Sequence, residues 1–112
     1  TIQEFTRAKV DMLESKINGM FNDCKFRLFD TQLNGGLVEC CDTLIEGVPW
    51  PDANNAAKIN AGIEIINVLS NHYGQIAPIW IDNAESITRI RKANAQLIEL
   101  YVSEEYKELQ VA

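Results

Sequence analysis

The stretch Ala77-Pro-Ile-Trp-Ile-Asp-Asn-Ala-Glu85 constrains this chain most, because a short apolar run stops there at two acidic side chains separated by Asn83 and Ala84. Such a run reads as a buried strand, and in open α/β sheets ligands sit outside the carboxyl ends of strands. Pro78 has no N–H to offer a neighbour, which suits the first residue of a strand. Asp82 then stands where the backbone leaves the sheet and a carboxylate reaches solvent or a metal. A second reading makes Asp82 the cap of a following helix, with Glu85 in its first turn stabilised by the helix dipole.

The residues before this stretch fix what it packs against. From Ala53 to Tyr73 the pattern is helical: Ile59, Ile63, Ile66 and Leu69 recur at intervals of four and three, and Asp52 or Asn54 can cap the start. Gly74 follows as a C-cap. Burying those four side chains would contribute on the order of 6–12 kcal/mol before conformational entropy is charged, so this is the predicted core helix. Gly62 inside it costs about 1 kcal/mol relative to alanine and predicts a close approach to a strand.

Residues 2–21 carry Ile2, Phe5, Leu13, Ile17, Met20 and Phe21 at helical spacing, interrupted by Lys9, and predict an amphipathic helix ending near Gly19 to Asn22. Its single apolar stripe either packs on the domain or pairs with another helix. Residues 25–46 read as a β-hairpin about Asn34-Gly35-Gly36, since Asn and Gly both tolerate positive φ. In Gly47-Val-Pro-Trp-Pro-Asp52, two prolines remove donors and are expected to break the pairing. Trp50 between them is either a core plug or a stacking platform for a base. Residues 86–93 predict a short helix or turn, and 96–103 with 106–111 a closing hairpin. The expected fold is α/β: a mixed, partly parallel sheet with an N-terminal helix (1–22) and one long core helix, the α/β domain covering 23–112.

Composition narrows the function. The 112 residues suffice for one domain, and 10 basic against 16 acidic residues, a formal charge of −6, argue against a surface built to hold phosphate backbones. Cys24, Cys40 and Cys41 have no zinc-finger spacing, and adjacent Cys40 and Cys41 point to opposite faces of a strand, so reduced thiols in a cytoplasmic protein are expected. No apolar run approaches the ~20 residues that cross a bilayer, and no membrane partner is expected. The sequence begins without Met inside a helical pattern, which suggests a piece of a longer polypeptide.

An Asp ending a buried strand is what a nucleotide hydrolase needs to hold Mg²⁺. The other half of such a site, a Gly-x-x-x-x-Gly-Lys-[Ser/Thr] phosphate loop, does not occur in this sequence. The run Ala53-Asn-Asn-Ala-Ala-Lys58, an apolar helix and Pro78-Ile-Trp-Ile-Asp82 resemble the C-terminal lobe of SMC-like ATPases, the ABC-type ATPases of chromosome maintenance, recombination and repair. More narrowly, Asp30-Thr-Gln-Leu-Asn-Gly-Gly36, Gly47-Val-Pro49, Asn60-Ala-Gly62 and Ile81-Asp-Asn-Ala-Glu-Ser86 look like the C-terminal ends of phage and mobile-element ATPases of that kind.

The resemblance implies that Asp82 is the Walker B carboxylate, holding Mg²⁺ through water. It places Asn54, Asn55 and Lys58 at the signature position, where a helix N-terminus favours the γ-phosphate of an ATP presented by a partner subunit. The first helix becomes the end of a coiled-coil arm, and Val102 and Ser103 end the strand that carries the switch histidine. The implied partners are an N-terminal ATPase lobe, of the same or another chain, and a second copy across the ATP site; DNA is contacted only indirectly. The chain departs from the pattern in four places. Asn54 and Ala56 replace the signature Ser and Gly, Asn83 replaces the catalytic Glu, and Glu104 occupies the switch His position. Glu85 is the remaining candidate to activate water, while His72 near the helix end reads as a C-terminal cation or hydrogen-bond donor. Two alternatives stand beside this: a catalytically eroded lobe serving as an interaction or dimerisation module, and a small enzyme using Asp82 and Glu85 as an acid–base pair.

Overall fold

A computed structural model describes residues 1–111. It is a mixed α/β arrangement in which two α-helices accompany two separate sheets, one antiparallel and one parallel. Helix α1 (Ile2–Asn18) leads into strands β1 (Cys24–Thr31), β2 (Leu37–Ile45) and β3 (Val48–Pro49). A 3₁₀ turn at Trp50–Asp52 precedes helix α2 (Asn55–Tyr73), which is followed by β4 (Ile79–Ile81), a second 3₁₀ turn at Ala84–Ser86, and β5 (Leu97–Glu99). Strands β1, β2 and β3 pair antiparallel in that order, whereas β4 and β5 pair parallel with Trp80 opposite Ile98.

The expected hairpin is β1 and β2, turned at Gly35 with φ 82°. The pairing does not stop at Gly47. Glu46 and Gly47 both have positive φ, 50° and 85°, which is the backbone of a two-residue turn whose twist suits a hairpin. The chain therefore doubles back, and Val48 and Pro49 pair with Ile45 and Leu44. Pro49 is tolerated because β3 is an edge strand.

Helix α2 is the core helix, but its apolar residues serve two faces. Ala57, Ala61, Ile65 and Val68 pack with Phe21, Cys24, Phe26, Ile45 and Trp50 of the hairpin side, so Trp50 is a core plug. Ile59 and Ile63 pack with Ile79, Ile81, Ala84, Ile87 and Leu97 of the parallel pair. With α2 between them, the strands form two sheets rather than one. The stripe predicted from Ile59 to Leu69 is buried only in its first half: Ile66 and Leu69 are exposed. Gly62 meets nothing within 4 Å of where a Cβ would stand, so no strand approaches it. Gly74 is the predicted C-cap, left-handed at φ 66° with its N–H on the Ser70 carbonyl.

Residues 87–96 form neither helix nor turn; they run beside α2 in irregular backbone with bends at Thr88, Asn94 and Ala95. The Asn60 amide donates to the Arg89 carbonyl and accepts the Arg91 N–H; Asn67 does the same with the Lys92 carbonyl and the Asn94 N–H. The register matches, since seven helical residues rise about 10.5 Å and three extended residues about 10 Å. Two side-chain amides thus satisfy backbone groups that a neighbouring strand would otherwise pair.

The closing hairpin does not form. β5 pairs with β4 instead, and residues 106–111 are exposed without regular structure. The molecule is elongated, with a radius of gyration of 18.5 Å, against about 13 Å for a compact chain of this length. Helix α1 contributes to this, because it lies along β1 and buries no residue fully. No described helix is long and apolar enough to cross a membrane.

Candidate functional site: the junction of the core helix and the parallel strands

Alternation along β4 buries Ile79 and Ile81 against α2 and turns Trp80 to the opposite, open face. The strand ends at Asp82, whose side chain is exposed and whose Oδ1 accepts the N–H of Asn83 at 2.9 Å. That leaves its second oxygen directed to solvent. Asn83 is left-handed at φ 54°, a conformation asparagine tolerates better than most residues, and it sends the chain into the 3₁₀ turn. Asp82 is thus not the cap of a following α-helix.

The amino end of α2 lies beside this turn. Asn54 is its N-cap, the side-chain oxygen accepting the Ala57 N–H at 2.8 Å. Asn55 reaches across the sequence: its Nδ2 donates to Ser86 Oγ at 2.7 Å, and Ser86 Oγ donates to the Asn83 carbonyl at 2.8 Å. The turn that follows Asp82 and the helix start bearing Asn54 and Asn55 are therefore neighbours, joined through Ser86. Lys58 is half-buried one turn into the helix.

Glu85 departs from this group. Its carboxylate accepts the Val102 N–H at 3.4 Å and so ties the 3₁₀ turn to the strand end that follows β5. Asp82 is the one carboxylate left at this strand end that could contribute to holding a cation. Among the described residues no three His, Cys, Asp or Glu side chains converge as a metal-binding group. His72 stacks edge-to-face on Tyr73 at the far end of α2.

A second polar cluster was not anticipated from the sequence. Glu64 is 4% exposed, and its carboxylate accepts the main-chain N–H groups of Asn22, Asp23 and Cys24. Arg91 pairs with Asp23 and lies 4.0 Å from Glu64. Glu64 thereby joins the turn after α1, the core helix and the irregular crossover. Burial, and next the adjacent Glu64, push the Cys24 thiol up to about 12; its sulfur sits 3.7 Å from the Ala61 carbonyl. Cys40 and Cys41 divide between half-buried and exposed, and all three cysteines are free thiols.

Comparison with protein-family models, curated proteins and solved structures finds no match to this chain.

Proposed function

We propose that the chain is the C-terminal half of a composite ATP-binding head of the SMC-like type, acting in DNA recombination or repair and inactive alone. The observation that carries this reading is the incompleteness of the parallel pair. Parallel strands are ordinarily covered on both faces, yet Trp80 on the outer face is 66% exposed. A layer supplied by an N-terminal lobe would cover that face and bring the phosphate-binding loop that this sequence lacks. Asp82 would hold Mg²⁺ through water, and the amino end of α2, with Asn54, Asn55 and Lys58, would face the γ-phosphate of a nucleotide bound on a partner. Mg²⁺ supplies neutralisation of phosphate charge when bound; the chain's own contribution is to fix the carboxylate on a strand end braced by Asn55 and Ser86.

One observation favours the second reading, an eroded lobe kept as an interaction module. Glu85 is engaged with the Val102 N–H rather than poised beside Asp82, and Asn83 stands where a water-activating glutamate would be expected. The two readings separate in one experiment. The parent polypeptide, expressed with its upstream coding region, is assayed for Mg²⁺-dependent ATP hydrolysis as the wild type and as Asp82→Asn. The ATPase reading expects turnover that falls at least 100-fold in the variant. Equal rates, or none in either, would leave the interaction module.

A further inference from the structure

The hydrogen-bond pattern of β4 identifies an open docking edge. Ile79 N–H donates to the Gln96 carbonyl and the Ile81 carbonyl accepts from Leu100 N–H, so residues 79 and 81 direct their main chains toward β5. Successive residues of a strand direct these groups to alternate sides. The N–H and C=O of Trp80 therefore face away from β5, along a free edge. Three residues in each of two strands also fall short of what a sheet needs for independent stability.

Beside that edge lies a groove of about 530 Å³, lined by Ile66, Leu69 and Tyr73 of α2 and by Ile76, Pro78 and Trp80. No charged residue lines it. Helix α2 overhangs β4 here, which is why Ile66 and Leu69 are exposed although they continue the helix's apolar pattern. A strand added at the usual spacing of about 4.8 Å would place alternate side chains under this overhang.

We infer that the β4 edge binds an extended, uncharged peptide segment by strand addition, its main chain pairing with Trp80 and its alternate apolar side chains filling the Ile66–Leu69–Tyr73 groove. The open main-chain groups decide between occupants: a helix would cover the apolar groove but leave the Trp80 N–H and C=O unpaired, whereas an extended chain satisfies both. The absence of charge in the groove selects apolar residues at every second position. This surface adjoins the Trp80 face that the proposed N-terminal lobe would cover. Peptide binding is read on the isolated chain without Mg²⁺ or nucleotide, so its failure and the failure of the ATPase reading are told apart.

The test is selection from a displayed library of random decapeptides against the purified chain, followed by binding measurements on synthetic versions of the recovered peptides. The expected winners alternate apolar and polar residues, protect the Trp80 amide from hydrogen exchange, and bind at least tenfold more weakly after N-methylation of alternate amides. Trp80→Pro removes the outward N–H together with the indole, whereas Trp80→Ala removes the indole alone, so a greater loss in the proline variant reads the main-chain bond. Leu69→Glu charges the groove at an already exposed site, and Trp80→Pro and Leu69→Glu are each expected to weaken binding at least tenfold. Recovery of no binder, or of binders indifferent to both variants and to N-methylation, would overturn the inference. Concentration-dependent dimerisation abolished by Trp80→Pro would give the edge to a second copy and overturn it equally.

Discussion

Asn55 and Ser86 are 31 residues apart in the chain, and their side chains are hydrogen-bonded at 2.7 Å. This contact holds the turn after β4 against the amino end of α2, and through it the exposed carboxylate of Asp82 keeps a fixed position relative to a helix terminus. Asn55→Ala removes a net contribution of about 0.5–1.5 kcal/mol. The expected result is faster amide exchange at residues 83–86 with unchanged protection at Ile63, read by hydrogen-exchange NMR.

Glu64 carries a larger share of the fold. Glu64→Ala leaves three main-chain N–H groups without their acceptor and Arg91 without one carboxylate, at an expected cost of about 3–5 kcal/mol in urea unfolding. Glu64→Gln keeps one acceptor oxygen and is expected to lose less. Equal, small losses in the two would contradict the role assigned to this carboxylate.

The crossover between β4 and β5 depends on Asn60 and Asn67, each bonded to two main-chain groups of the 89–94 segment. Either Asn→Ala variant should release its own half of the segment, with increased exchange at Arg91 for Asn60→Ala and at Asn94 for Asn67→Ala. Because both amides hold one stretch of chain, the double variant is expected to depart from additivity by about 0.5 kcal/mol or more.

The Cys24 thiol titrates at about 12 in the folded chain against an ordinary 9.0, because burial and the neighbouring Glu64 disfavour the thiolate. The folded state then holds a proton that the unfolded state releases. Its contribution to stability is fully present below pH 9 and is lost as pH rises from there toward 12. At pH 8 a thiol reagent is expected to modify exposed Cys41 readily and Cys24 only on unfolding. Equal labelling rates would contradict the buried position.

What the sequence made legible follows from the range of the interactions concerned. Helix α2, the strand ending at Asp82 and the Gly74 cap are set by local chemistry, and the sequence predicts each; for the start of α2 it leaves Asp52 and Asn54 open, and Asn54 is the cap. The sequence predicts a helix or turn at the irregular crossover because its hydrogen-bond partners, Asn60 and Asn67, lie on another element and leave no periodic trace in residues 87–96. Val48 and Pro49 continue the sheet because Glu46 adopts positive φ beside Gly47, which prolines on either side of Trp50 obscure. A signal for Glu64 did exist: it is a lone acid between Ile63 and Ile65, on a helix apolar on two faces. At the candidate site the spacing brings Asp82 to the amino end of α2, but it does not reveal that Glu85 turns toward Val102.

The most direct test compares ATP turnover by the isolated chain, by the phosphate-loop-bearing N-terminal lobe that the proposed function requires, and by the two mixed with Mg²⁺. The account predicts background rates for each part alone and turnover on mixing that Asp82→Asn abolishes. Hydrolysis by the isolated chain, or a mixture indifferent to Asp82→Asn, would contradict it.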